Sequence, residues 1–353
     1  MRAHGHRLGV GGMSLFVLAD LERGPGRRLL RITQAMGFSE AVARAGLEAE
    51  FDAWMAPGAT DLVLEELEGV DLARRPETVL VLGAATLPVS TLRAVLMARL
   101  LGARVLLKPA TGQEGLASIL AEADARVLPT CFRSDDTPAL QRAMEEAHAV
   151  VVLGGDETLH AVAARLGPEQ AFVGYGHRVS AAHLAGAQEA DHQGLAADLL
   201  AWDGRGCLSP QVVWTDGDLE TTAQALAAAL AQIEAGLPFE PGPGLAHAGY
   251  VARCLGAAKG QIVESATAVM IIGDDPAFVP SPGGRVIHVL PDHGAPWDAL
   301  GEGLSSLGCS EASTARPRHA NVRRCALGSL QRPPLDWPHD GRPNLRSMLR
   351  PQV

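Results

Sequence analysis

Ala149-Val150-Val151-Val152-Leu153 runs without a break into Gly154-Gly155-Asp156-Glu157-Thr158. Five apolar residues with no polar alternation predict a strand buried on both faces, as in a parallel sheet. The glycine pair, followed by two acids, predicts a tight turn into a helix start. The same order of elements recurs on either side. Upstream, Glu77-Thr-Val-Leu-Val-Leu-Gly83 is a second apolar run ending in glycine. A helix over Ser90 to Leu101 follows, and after Gly102 a further strand, Ala103-Arg-Val-Leu-Leu-Lys108, stops at Pro109. Strand, helix, strand is a parallel crossover unit. Helices around Gly115 to Asp124 and Pro138 to Ala147, with a weak strand near Arg126 to Leu128, fill the interval. After Gly167 the strand Gln170-Ala-Phe-Val-Gly174 leads into Tyr175-Gly176-His177-Arg178. The reading is a doubly wound α/β domain whose strands end in glycine-containing turns at their carboxyl edge, the usual place for a nucleotide.

Before this domain, Leu21 to Leu67 reads as mostly helical, with Ser39 as an N-cap. Beyond about Ser180 the composition shifts to alanine-rich helices. A long helix is expected from Asp218 to Gly236, a surface loop over Pro238 to Gly244, and strands at Ala266 to Ile272, Arg285 to Leu290 and Asn321 to Leu327. These make a second α/β domain, and 353 residues accommodate two domains sharing a cleft. At its centre lies Asp203-Gly-Arg-Gly-Cys207-Leu-Ser-Pro-Gln211, between a short amphipathic helix (Gly194 to Trp202) and a strand (Gln211 to Trp214). A lone cysteine is most often a small buried hydrophobe. Glycines on one side and a proline on the other instead present this one on a helix-to-strand turn, where Arg205 could favour the thiolate, the nucleophilic form.

Composition excludes several classes. A net charge of −10 and 4% aromatic residues leave no basic, aromatic-rich surface for nucleic acid. Five cysteines without CxxC spacing argue against a disulfide framework or a zinc ribbon and for a reducing compartment. Met13 to Ala19 is too short for a membrane span and lacks a convincing cleavage site. A cytoplasmic protein is expected, with residues before Met13 unstructured and Met13 as a candidate true start. His288, His293, His319 and Cys309 lack metal-ligand spacing, so no metal is expected. His183 and His192 are read as surface or structural residues of a helical stretch.

Taken together, these residues resemble the aldehyde dehydrogenase superfamily, and within it the LuxC-like acyl-CoA (fatty acyl) reductases. The similarity runs from about Glu77 to Arg346. Its most specific pieces are Gly206-Cys207-Leu208-Ser209-Pro210-Gln211, the Gly154-Gly155-Asp156-Glu157 turn, and Pro334-Leu-Asp-Trp-Pro-His-Asp-Gly-Arg342. The resemblance implies an aldehyde-dehydrogenase-like fold of two Rossmann-like parallel-sheet domains with the active site between them. Expected boundaries are 1–179 for cofactor binding and 180–324 for the catalytic cysteine. Residues 325–353 are expected as a tail returning over the cleft or a partner subunit.

The resemblance also implies roles. Cys207 matches the cysteine that attacks the substrate carbonyl. Lys108, in Leu107-Lys108-Pro109-Ala110-Thr111, matches the lysine that holds the adenosine ribose. Thr111 stands where NAD-specific members carry a glutamate, and so removes a carboxylate that would repel a 2'-phosphate, which favours NADPH. Gly154 and Gly155 match the turn whose backbone approaches the pyrophosphate. His177 is a candidate for phosphate or substrate contact, or for handing a proton to the aldehyde oxygen; the alternative is loop hydrogen bonding.

Two departures from the superfamily bear on the chemistry. The water-activating glutamate of aldehyde oxidisers has no counterpart in Phe172-Val-Gly-Tyr-Gly176, which favours reduction over oxidation. The oxyanion-stabilising asparagine has none near Ala84-Ala85-Thr86, where losing one donor can cost ~10²–10³ in rate. Thr86, or the Cys207 amide alone, would then have to serve. The expected reaction is NADPH-dependent reduction of an acyl thioester, acyl-CoA or carrier-bound, to an aldehyde through an acyl-cysteine. The alternatives are the reverse, CoA-acylating direction and a degenerate subunit that binds nucleotide or acyl carrier without turnover. An acyl-activating or acyl-transfer partner protein and a homo-oligomer are expected as partners.

Overall fold

The computed structural model describes residues 14–259 and 261–352, so the readings for the stretch up to Met13 lie outside the described residues. Two compact units emerge. One comprises residues up to Met36, Leu47–His177 and Pro334 onward; the other comprises Gly37–Gly46 and Arg178–Pro333.

In the first unit, the strands Thr78–Leu82 (β1), Arg104–Lys108 (β2), Val127–Pro129 (β3), Ala149–Leu153 (β4) and Ala171–Tyr175 (β5) form a sheet in the order β3-β2-β1-β4-β5, every neighbouring pair parallel. β1 and β4 are central, which is why both read as unbroken apolar runs. The winding reverses between them, so the turns at Gly83 and Gly154 flank the switch point where sheets of this type bind ligands. The helix Pro88–Leu100 is buried along nearly its whole length, as its lack of a polar face requires. Ile32, on the helix Gly24–Ala35, packs where Gly115 opens the helix Glu114–Ala123.

The C-terminal segment belongs to this unit. Arg93, buried on Pro88–Leu100, donates to the carbonyls of Leu335 (2.9 Å) and Trp337 (3.0 Å) and to Asn344 Oδ1 (3.2 Å). The Glu66 carboxylate accepts the backbone N–H groups of Asn344 (2.9 Å) and Leu345 (2.7 Å) and the Asn344 side-chain amide (3.1 Å). His339 stacks on Tyr175 with ring centroids 4.5 Å apart, and burial raises the Tyr175 phenol to about 12. The compact units therefore divide the chain differently from the expected boundaries. Residues 37–46 leave the first unit, 325–333 stay with the second, and the tail from Pro334 packs into the first.

In the second unit, Val179–Leu184 (β6), Pro210–Thr215 (β7), Ile262–Glu264 (β8), Val269–Ile272 (β9), Val286–Pro291 (β10), Leu304–Cys309 (β11) and Arg323–Ala326 (β12) form a seven-stranded sheet in the order β12-β11-β6-β7-β10-β9-β8. All pairs are parallel except β8 with β9, so this sheet is mixed and not wholly parallel. Val213, Leu226, Ile287 and Val289 centre one layer of its core. Strands β6, β8 and β11 and the helix Pro243–Ala258 were not anticipated. β6 (Val-Ser-Ala-Ala-His-Leu) and β11 (Leu-Ser-Ser-Leu-Gly-Cys) are fully central yet carry buried Ser180, His183, Ser305 and Ser306. Their polar side chains are committed to specific hydrogen bonds, which hides the apolar run that would mark a buried strand.

His183, expected as a surface or structural residue of a helical stretch, is a buried structural residue of a strand. Its Nδ1 lies 2.6 Å from Ser313 Oγ and its Nε2 2.9 Å from Asp292 Oδ2, with Trp297 edge-on against the ring. The Asp292 carboxylate fixes the tautomer that accepts the Ser313 proton, the order of a hydrolase triad. Ser313 is only 5% exposed and its Oγ already accepts the Ala315 N–H. The trio therefore ties strand β6 to the loops after β10 and β11.

Candidate functional site

At the carboxyl edge of the first unit's sheet, Lys108 is the last residue of β2, and its Nζ donates to Ser134 Oγ at 3.1 Å. Thr111 is exposed three residues further on, ahead of the helix Glu114–Ala123. Glu114, which sequence reasoning passed over, caps this turn by accepting the Gly112 N–H (3.0 Å). Backbone donors at Glu114 and Gly112, with a smaller contribution from Lys108, hold its carboxyl below the usual range.

Gly154 and Gly155 are exposed between β4 and the helix Asp156–Ala163. A side chain added at Gly155 would meet nothing within 4 Å, and at Gly154 only the Thr158 side chain at 3.7 Å. The Asp156 carboxylate is turned away from this cradle. It accepts the His177 N–H at 3.2 Å and stands 2.4 Å from where a Cβ on Gly176 would be, so a side chain there would displace the carboxylate. The His177 side chain is exposed on the same turn. An open glycine turn at a helix N-terminus, with a lysine at the same edge of the sheet two strands away, at the end of β2, fits the phosphates and ribose of a dinucleotide.

The turn after β1 is fixed by two residues. Gln113, 1% exposed, donates through Nε2 to the carbonyls of Ala84 and Ala85, both at 3.1 Å, and Thr91 Oγ1 accepts the Ala84 N–H at 2.9 Å. Gln113 was invisible to sequence reasoning because a glutamine between a turn and a helix carries no signal of its own. Thr86 is exposed.

Cys207 lies in the second unit, immediately before β7, half-buried and outside any disulfide. Its loop is tightly determined. Ser180 Oγ donates to the Cys207 carbonyl (2.8 Å), the Ser209 N–H to the Gly206 carbonyl (3.0 Å), and the Gly206 N–H to Ser209 Oγ (3.1 Å). Gln331 Nε2 donates to the same Ser209 Oγ at 2.7 Å. Arg205 does not stand free beside the thiol: its guanidinium lies 4.1 Å over the Phe38 ring and its Nη1 donates to the Gly37 carbonyl at 3.3 Å. On the other side, Trp202 (φ 52°) and Asp203 (φ 51°) adopt left-handed backbone conformations, as does Arg285 (φ 62°), the ion-pair partner of Asp203. Left-handed non-glycine residues persist only where surrounding structure over-determines them.

Behind the loop, buried Asp198 accepts the N–H groups of Gly328 (2.6 Å) and Gln331 (3.4 Å). Burial pushes its carboxyl up to about 7, against the backbone donors and Arg323 that pull it down. An acid raised in the fold favours the protonated native state. The stability it confers is full below its unfolded pKa near 4 and is lost as pH rises through about 7. Unfolding free energy from urea titrations is expected to fall by a few kcal/mol over that window, and Asp198→Asn is expected to flatten it.

The structure thus groups Lys108, Thr111, Gly154, Gly155 and His177 along one sheet edge of the first unit and sets Cys207 in a braced loop of the second. Among the described residues no cluster of three His, Cys, Asp or Glu side chains is placed to hold a metal ion, and no helix is long and apolar enough to cross a membrane.

This architecture is that of the aldehyde dehydrogenases. The NADP-dependent glyceraldehyde-3-phosphate dehydrogenase from Bacillus halodurans, solved with NADP, superposes with a TM-score of 0.66 at 14% identity, covering 97% of this chain and 85% of that one. Methylmalonate-semialdehyde dehydrogenase from Oceanimonas doudoroffii gives 0.66 at 14% identity, covering 98% and 85%. The NAD-dependent aldehyde dehydrogenase from Sinorhizobium meliloti gives 0.63 at 16%, covering 91% and 74%. No curated protein sequence matches the chain. Residues 73–351 match the family described as acyl-CoA reductase (LuxC), and the chain belongs to that family of oxidoreductases, which reduce acyl groups to aldehydes.

Proposed function

We propose that the chain reduces an acyl thioester, acyl-CoA or carrier-bound, to the free aldehyde, with Cys207 as nucleophile and NADPH as reductant. The observation that carries this reading is the Cys207 loop, a half-buried thiol on a backbone held by serines at the head of a central strand. The Cys207 thiolate attacks the acyl carbonyl, the bond to the carrier sulfur breaks, and the carrier leaves as its thiol. A reduced nicotinamide dinucleotide, when bound at the glycine turn, supplies the hydride. The resulting hemithioacetal collapses to aldehyde and returns the thiolate. Lys108, Gly154 and Gly155 hold the dinucleotide, and His177 hands a proton to the nascent aldehyde oxygen as the hydride adds and takes it back as the hemithioacetal collapses. The end of β5 and the residue after it, Gly174-Tyr175-Gly176, carry no carboxylate to activate water, which supports discharge by hydride over hydrolysis. Five cysteines without a CxxC pair suit the reducing cytoplasm. The domain expectation survives as a proposal in revised form: cofactor on the first unit, acyl-cysteine on the second.

Intact-mass measurement of the protein after incubation with a panel of acyl-CoAs, and again after NADPH is added, tests the reading. A mass increase equal to the acyl group, lost on NADPH addition with release of aldehyde, is expected. No adduct from any acyl donor would overturn it.

Coenzyme preference has its own test. Thr111→Glu restores a carboxylate against the 2'-phosphate and is expected to weaken NADPH binding about tenfold while sparing NADH. Glu114→Gln removes the nearest acid of that turn and is expected to act in the opposite direction. Isothermal titration with both coenzymes reads both effects, and an unchanged preference in both variants would sink the assignment of Thr111.

A further inference from the structure

Three successive peptide planes around Cys207 are each pinned by one hydrogen bond. The plane joining residues 205 and 206 is held through its N–H by Ser209 Oγ. The plane joining 206 and 207 is held through its carbonyl by the Ser209 N–H, and the plane joining 207 and 208 through its carbonyl by Ser180 Oγ. In a trans peptide the N–H points opposite to the C=O. Fixing the Gly206 and Cys207 carbonyls therefore fixes the directions of the Cys207 and Leu208 amides. Ser180 and Ser209 are almost wholly inaccessible, at 0% and 1% exposure, and Gln331 holds the Ser209 hydroxyl while Asp198 holds Gln331's own backbone. Neither serine spends its hydroxyl on stabilising a sheet edge or a helix cap; both are aimed at this loop. At the same time, the turn after β1 presents no asparagine, and its carbonyls are tied down by Gln113.

We propose that Ser180, and Ser209 braced by Gln331, are positioning residues that preorganise the backbone amides of Cys207 and Leu208 as the oxyanion donors of this enzyme, in place of a side-chain amide. Preorganised donors stabilise charge as it develops on the carbonyl oxygen and need no reorganisation when the thiol attacks. The inference rests on the reading of Cys207 as the nucleophile toward a thioester.

Two reactions of the same sulfur separate the idea from its alternatives. Attack on a thioester builds an oxyanion, whereas alkylation by iodoacetamide displaces iodide and builds none. Both rates are measured at Cys207 by mass spectrometry for wild type, Ser180→Ala, Ser180→Thr and Gln331→Met, with exposed Cys131 and Cys254 as internal references for alkylation. Ser180→Ala is expected to slow acylation by an acyl-CoA about tenfold to a hundredfold while alkylation stays within about twofold. Gln331→Met, of similar volume, is expected to act in the same direction more weakly, and Ser180→Thr, which keeps the hydroxyl, to restore acylation. Equal slowing of both reactions would show that the serines place the thiol and not the amides. Normal acylation in both Ser180→Ala and Gln331→Met would show that they place neither. Either result overturns the positioning proposal and leaves the nucleophile standing. A wild-type protein that alkylates at Cys207 but never acylates would overturn the nucleophile assignment and this proposal with it.

Discussion

Cys207→Ala is expected to abolish both acyl-adduct formation and aldehyde release, a loss of about 10⁴-fold or more in kcat, because no other group can take the sulfur's place in a covalent sequence. The remaining cysteines are poor substitutes for physical reasons. Burial raises the Cys309 thiol, and it pushes Cys325 up to about 11, so neither offers thiolate near neutral pH. Cys131 and Cys254 are exposed and lack the braced loop that would stabilise an oxyanion beside them. Replacing a half-buried thiol by a methyl should leave the fold intact, with a stability change within about 1 kcal/mol. The check is a paired measurement of intact mass after acyl-CoA and of the urea midpoint. An adduct that survives in Cys207→Ala would move the nucleophile elsewhere.

Arg285→Met carries the largest expected effect on stability. The Arg285 and Asp203 side chains are 0% and 1% exposed, paired at 2.7 Å, and Arg285 also donates to Thr267 Oγ1 (2.7 Å) and the Leu237 carbonyl (2.8 Å). Burial raises the Asp203 carboxyl even though Arg285 beside it pulls the other way. The pair has therefore not fully recovered its desolvation. Removing the cation leaves a buried carboxylate alone, at a cost of about 3–5 kcal/mol. Asp203→Leu combined with Arg285→Met should recover much of that loss, since apolar replacement of a whole buried pair is often neutral or better. The double variant should nonetheless lose activity. Asp203 and Trp202 hold left-handed conformations four and five residues before Cys207, and Gly283, itself at φ 75°, brings the opposite loop to within 3.0 Å of Gly204 O as measured from an added Cβ. Urea denaturation together with acylation rates for the wild type and both variants checks this. A double variant as unstable as the single one would mean that packing, and not charge, holds the loops together.

How much of this was legible beforehand depends on where each signal resides. Apolar runs such as Val150–Leu153 announce a strand because they are buried on both faces, and the first unit's sheet followed from them. β6 and β11 escaped because Ser180, His183 and Ser306 occupy buried positions that pattern reading reserves for valine and isoleucine. The helix Pro243–Ala258 escaped because its proline and glycines look like a loop, although proline is well suited to a first helical turn. Cys207 stood out through its glycine and proline neighbours. Its bracing partners Ser180 and Gln331 could not, since they reach the loop from 27 and 122 residues away from their bonded partners. Arg205 misled for a related reason: adjacency in sequence suggested a cation near the thiol, and a phenylalanine from residue 38 took it instead.

The C-terminal segment that Arg93 and Glu66 hold has a consequence for how the protein is made. During synthesis the strands of the first unit leave the ribosome early, but the carbonyls that Arg93 requires belong to Leu335 and Trp337, which emerge only after the whole second unit. Until then the buried Arg93 and the half-buried Glu66 have not met the segment they hold, so the first unit stays incomplete while the second can already fold. A chain cut short before residue 334 would keep Cys207 with its bracing partners Ser180 and Gln331 yet leave the first unit unfinished, and is expected to be cut by proteases there first.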